Sequence, residues 1–207
     1  MPTGLEWLVD YGLREGDFPD VAGTYSGLLV IAGGGACVWD DLERLGCRWD
    51  MHRGCVRVPD GDLMCVNSIG MDMPGEVVHW YANGARDLRA WAAARRPEHR
   101  QLWEQNLSRR PIHYHSCNAG FGTCWPVPGH GSSGLNACLV GMGLGYERAV
   151  LCGIPVDDSP HYHDPPWRAC NFTRESPDKY WERAKTKCFK GRVRSMSGRT
   201  REMLGEP

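Results

Sequence analysis

The chain has 207 residues, 42% hydrophobic and 24% charged, which is the composition of an ordinary folded domain and excludes wholesale disorder. No apolar run reaches the roughly 18 residues that cross a bilayer. The opening MPTGLEWLVDYGLREGDF has no basic segment followed by an apolar core, so neither a secretory leader nor a membrane partner is expected. The formal charge of −1 is unevenly spread: residues 1–178 carry 15 basic and 22 acidic side chains, residues 179–207 carry 9 and 3.

Of the ten cysteines, several lie in apolar runs such as LMCV, NACLV and VLCGI, where a free thiol packs as a small hydrophobe. No CxxC pair occurs, which argues against a zinc ribbon or a thioredoxin-type site. A reducing, cytoplasmic setting is expected.

In chain order, GLEWLVDYGLR (4–14) has the spacing of a short helix. Leu28 to Ile31 form a continuous apolar run stopped by glycines, a strand buried on both faces. Val38, Leu42 and Leu45 follow at helical spacing, with Gly46 as the stop. Strands are expected at Leu63–Val66, ending on Asn67, at Val77–Tyr81, and at Ile112–His115. The Ala-, Leu- and Arg-rich stretch Ala85–Arg95 between the last two predicts a helix. SSGLNACLVGMGLGY predicts a helix capped by Ser132 or Ser133, and RAVLCGI a fifth strand. Pro160, Pro165 and Pro166 exclude regular structure from DDSPHYHDPPW. A helix near Lys179–Lys187 and a basic end close the chain.

Strands alternating with helices imply a mostly parallel sheet flanked by helices, an α/β fold. We expect one domain over residues 1–178 and a basic helical tail over 179–207. Ligands of such sheets bind beyond the carboxyl ends of the strands. The loops at Gly33–Cys37, Asn67–Asp72, Asn83–Gly84, His130–Gly134 and Gly153–His163 are all expected on that edge.

Gly33, Gly34 and Gly35 let the backbone approach a ligand and turn into a helix N-terminus, where amides favour an anion such as phosphate. The dinucleotide fingerprint is incomplete, since Val38 stands at its third glycine. GHGSSGLNA repeats the same physics: Ser132 and Ser133 offer hydroxyls, while Gly131 and Gly134 permit close approach. Two such helix starts facing each other would hold a phosphate or diphosphate; ordinary capping and a tight turn are the plainer alternatives.

The strand with a glycine turn, the strand ending in Asn67, the Ser-Gly helix and GLGYERAVLCGIPVD together resemble the bacterial sialyltransferase-like glycosyltransferases, and the related archaeal pterin diphosphokinase-like proteins of Rossmann type. The resemblance spans roughly residues 27–163 and implies a Rossmann-like sheet. It also implies that Gly33, Gly35, Asn67, Ser132, Ser133 and Gly134 contact a nucleotide, and that a histidine after the last matched strand acts as general base. Ala36 and Cys37 stand where the family has Pro-Ser, and Gly34 where some members have a side chain that contacts the nucleotide.

His161 and His163 occupy that loop. Histidine is the natural base near neutral pH; if the segment is extended, the two rings point opposite ways and only one faces a substrate. Asp158 or Asp164 is placed to orient it. His113, His115 and Cys117 share a strand face, and with Cys124 they offer a zinc-site alternative, though no metal is expected. Asp40 and Asp41, in a first helical turn, complement the helix dipole. Trp125 and Trp167 are expected on the ligand edge, as stacking platforms or as covers.

The expected function is transfer of a sugar from a nucleotide donor to a hydroxyl acceptor, with no other cofactor. The basic tail makes modified phage DNA a conceivable acceptor and nucleic acid a conceivable partner. A magnesium-dependent diphosphokinase and a non-catalytic nucleotide-sequestering protein are the alternatives. The sequence leaves the oligomeric state open.

Overall fold

A computed structural model describes residues 18–50, 55–96, 111–127, 132–165 and 178–207. The helix expected over 4–14 lies outside them, as do Gly131 and Trp167.

The apolar run after Gly27 forms β1 (Leu28–Ala32). Leu29 through Ala32 are wholly buried because both faces of the strand are covered. Leu29 and Ile31 enter one core cluster, Val30 and Ala32 the other. This is the alternation a strand imposes on its side chains. The glycine turn leads into α1 (Val38–Arg44), whose Val38 and Leu42 pack under the sheet. A short antiparallel pair, β2 (Arg48–Asp50) and β3 (Cys55–Arg57), follows as a separate two-stranded sheet.

The main sheet continues with β4 (Gly61–Val66), the single turn α2 (Ile69–Asp72), β5 (His79–Ala82), α3 (Ala85–Ala94), β6 (His113–Ser116) and β7 (Thr123–Cys124). Next come α4 (Ser133–Leu144) and β8 (Arg148–Cys152). α4 is buried on all sides from Gly134 to Leu144, which is why its sequence is apolar throughout rather than striped.

The expected C-terminal helix is present as α5 (Asp178–Ala184), continued by a π-helical turn over Lys185–Phe189. The rest of the expected tail differs. β9 (Val193–Ser195) pairs in parallel with β8 as the edge strand, and α6 (Gly198–Leu204) follows it. Val193 and Ser195 are buried and Arg194 is exposed, so a basic residue between two inward-facing ones conceals a strand.

The strand order is β7-β6-β5-β4-β1-β8-β9, with every neighbouring pair parallel. The chain is therefore an α/β domain with a seven-stranded parallel sheet flanked by helices, as the alternation of elements predicts. From β1 it steps outward through β4 to β7, then returns to β8 on the other side of β1. That reversal leaves a crevice beyond the carboxyl ends of β4, β1 and β8, where such sheets bind ligands.

Candidate functional site

A cavity of about 240 Å³ occupies this crevice. Its walls are the turn after β1 (Gly33 to Gly35), the end of β4 (Val66 and Asn67), the start of α4 (Ser132 to Gly134), the turn after β8 (Gly153 to Asp157) and the loop carrying His161. The triple glycine and the paired serines, far apart in sequence, thus open on one space.

The two serines do different work. Ser132 has an extended backbone and is the N-cap: its Oγ accepts from the Leu135 amide at 3.2 Å, and its carbonyl accepts from Asn136. Ser133 and Gly134 are the first two helical residues, whose amides have no intrahelical acceptor. They lie on the cavity wall and give it a patch of donors at the positive end of a helix of 12 residues.

The glycine turn is built differently from the sequence expectation. The Gly33, Gly35 and Ala36 amides donate to the carbonyls of Cys152, Gly153 and Pro160 at 2.8 to 2.9 Å, so they face the protein rather than an anion. The glycines are demanded by packing. A Cβ on Gly33 would lie 2.4 Å from Ile154 Cγ1, and one on Gly35 2.7 Å from Pro155 Cδ. At the start of α1 the Val38 amide donates to the Gly35 carbonyl at 3.0 Å, and the Asp41 amide makes the first regular helical bond, to Cys37. Of the two helix starts, that of α4 lines the cavity and that of α1 does not.

Asn67 ends β4 with φ of 60°, a left-handed conformation that asparagine tolerates better than most side chains. Its amide donates to the Tyr81 carbonyl, and its own carbonyl takes the Trp80 indole N–H at 2.7 Å. The main chain is fixed on both sides, and the residue borders the cavity.

The histidine loop folds back onto the glycine turn. Tyr162 N and His161 Nδ1 both meet the Gly34 carbonyl, at 2.9 and 3.1 Å. A carbonyl only accepts, so Nδ1 carries the proton and the ring's lone pair is on Nε2. Tyr162 anchors the loop by donating its hydroxyl to Asp72, which also pairs with Arg96 Nε at 2.6 Å. Burial, helped by the Asp72 carboxylate, raises the Tyr162 hydroxyl far above its ordinary range and keeps it a donor.

His161 borders the cavity, whereas His163 and Asp158 are exposed and form no part of its wall. The two imidazoles do not alternate. The segment turns, and the rings stack at 5.5 Å with 12° between their planes. Asp157, not Asp158, is the wall carboxylate, and its Oδ1 accepts from the Ser159 amide.

Other candidates are used in the interior. Trp125 is wholly buried and is a cover rather than a stacking platform; its indole N–H meets His115 Nδ1. His115 lies between Trp125 and His79, and Cys117 Sγ donates to the Asn83 carbonyl. Among the described residues, no group of three or more His, Cys, Asp or Glu is placed to hold a metal ion. Several basic residues of the C-terminal segment have local partners: Arg194 on the Leu204 carbonyl, Arg199 with Asp178, and Arg201 with Glu206. No helix among the described residues is long and apolar enough to cross a membrane.

Sequence reasoning missed Asp41 as more than a dipole partner. It is 1% exposed, and its Oδ2 accepts from the Gly153 amide at 2.9 Å and the Ser197 hydroxyl at 2.6 Å. Its buried position in α1 is signalled only by the helical spacing from Val38 to Leu42.

No family model matches the chain. No curated protein matches it either. Among solved structures it is similar to the sialyltransferase CstII from Campylobacter jejuni in complex with cytidine-5'-monophosphate, at 13% identity over 86% of this chain and 84% of that one, with a TM-score of 0.54. A Cst-II variant in complex with CMP matches at 12% identity, over 86% and 85% of the two chains, with a TM-score of 0.53. The fold is thus sialyltransferase-like, in keeping with the resemblance carried by the glycine turn, the Ser-Gly helix and GLGYERAVLCGIPVD.

Proposed function

We propose that the chain is a glycosyltransferase-like enzyme that binds a cytidine-type sugar nucleotide in the cavity and transfers its sugar to a hydroxyl acceptor. The carrying observation is the arrangement of His161 on one wall and the Ser133 and Gly134 amides on another. The acceptor oxygen bonds to the anomeric carbon while His161 Nε2 takes its proton, because Nδ1 is held on the Gly34 carbonyl. The bond from the anomeric carbon to the phosphate oxygen breaks with its electron pair on the leaving nucleotide. The α4 amides meet that growing negative charge. Gly33, Gly34 and Gly35 shape the wall, and Asn67 borders the ribose or base. The solved neighbours above hold CMP, which is the reason to begin with cytidine nucleotides.

The test is a calorimetric titration with CMP and a CMP-linked sugar, with and without magnesium, followed by an assay for sugar release. The expected result is saturable binding and turnover, with His161→Gln binding normally but turning over at least about a hundredfold more slowly. Turnover dependent on magnesium would favour the diphosphokinase alternative, and binding without turnover the sequestering one. A phage DNA duplex in the acceptor panel tests the nucleic-acid substrate. Absence of any nucleotide binding overturns the proposal.

A further inference from the structure

We propose that Asp41 is a positioning residue for the cavity, and that through it the C-terminal segment Ser197–Thr200 forms the rear of the binding wall. A carboxylate as buried as Asp41 is costly unless its oxygens are satisfied. Two donors, the Gly153 amide and the Ser197 hydroxyl, fall on one oxygen. Arg44 approaches the other oxygen at 3.7 Å and also donates to the Met196 carbonyl at 3.3 Å.

Gly153 is the junction. Its amide is held by Asp41, and its carbonyl takes the Gly35 amide at 2.8 Å. The glycine turn thereby meets the turn after β8 directly at Gly153, and the C-terminal segment reaches the same residue through Asp41. The next two residues are held from the same side. The Ile154 carbonyl accepts the Thr200 hydroxyl at 2.6 Å, and the Pro155 carbonyl accepts the Thr200 amide at 3.2 Å. Thr200 is itself wholly buried and shares a hydroxyl contact with Ser195 at 2.8 Å.

Gly153, Ile154 and Pro155 therefore have the cavity on one side and residues 197–200 behind them. The segment is a buttress, and its docking and the geometry of the cavity are linked in both directions. The affinity measurement below rests on the nucleotide reading; the exchange measurement does not.

The experiment compares full-length wild type, Asp41→Asn, Asp41→Ala and Thr200→Val by amide hydrogen exchange without ligand. One amide oxygen at the Asp41 Oδ2 position can accept both bonds, so asparagine preserves the contact and alanine removes it. Exchange at residues 153–157 is expected to quicken at least about tenfold in Asp41→Ala and Thr200→Val, and to stay within about threefold of wild type in Asp41→Asn. Exchange in β4 and β5 should remain as in wild type, which a general loss of stability would not allow. CMP affinity should fall about tenfold in Asp41→Ala and recover in Asp41→Asn.

Unchanged exchange at 153–157 in the folded alanine and valine variants overturns the inference. Ser197→Ala, which removes one donor and keeps the Gly153 bond, replaces Asp41→Ala should the latter not fold, and is judged by the same criterion. If wild type does not bind CMP, the exchange result still decides the role of Asp41, and the nucleotide reading alone falls.

Discussion

Trp125 donates its indole N–H to Nδ1 of His115 at 3.1 Å, and that bond fixes the proton positions along a chain of side chains through the core. With Nδ1 accepting, neutral His115 carries its hydrogen on Nε2 and donates to His79 Nδ1 at 2.9 Å. His79 then donates from Nε2 to the Tyr146 hydroxyl at 2.9 Å, and Tyr146 donates to Asp62 at 2.5 Å. Every donor points toward the carboxylate. The chain exists only while both histidines are neutral.

Acid should therefore unfold the protein. Burial, reinforced by neighbouring His113, pushes His115 down to about 3. In the unfolded chain a histidine takes up its proton near 6.5. Between those values the unfolded state binds more protons, so stability rises with pH. The contribution is fully present above about pH 6.5 and is lost as the pH falls toward 3. Urea midpoints at pH 7.5, 6, 5 and 4 should decline steadily, and His115→Gln should flatten the decline. A midpoint independent of pH contradicts the directed chain.

Two adjacent glycines should fail in different ways. A Cβ on Gly33 would lie 2.4 Å from Ile154 Cγ1 and 2.7 Å from the Gly153 carbonyl, so Gly33→Ala should destabilise by about 1–3 kcal/mol. A Cβ on Gly34 would come closest to the His161 ring, at 3.1 Å from Nδ1, with Tyr162 Cδ1 in ordinary contact at 3.9 Å. Gly34→Ala should leave the melting temperature nearly unchanged and reduce turnover by displacing the imidazole. Thermal melts and rate measurements on the two variants check the contrast.

The paired serines should separate as well. Ser132→Ala removes the cap on Leu135 and should cost about 1 kcal/mol of stability, read by denaturation. Ser133→Ala should stay within about 0.5 kcal/mol of wild type yet weaken CMP binding. Equal effects of both changes on binding and stability would show that the start of α4 acts only as a helix end.

Much of this architecture is legible in the chain itself. β1 and β8 announce themselves as unbroken apolar runs, α3 by its helix-forming composition, and α4 by a Ser-Gly start and apolar length. Punctuation by glycine, serine and asparagine also marks the strand ends that surround the cavity. Contacts between distant segments are less visible. Asp41 meets Gly153 and Ser197 across 112 and 156 residues, and no local pattern signals either bond. The choice between His161 and His163 depends on a turn that a proline-rich loop sequence does not specify. β9 is hidden because three residues carry no period, and the arginine between its buried ends reads as part of a basic tail.

The most direct measurement is the amide spectrum of isotope-labelled protein titrated with CMP. Saturable shifts are expected at Ser133 and Gly134, with smaller ones at Gly34 and Asn67, and the Ser133 and Gly134 shifts should be lost when inorganic chloride replaces the nucleotide. No shift at the start of α4, or shifts confined to the C-terminal arginines, would contradict the proposed site.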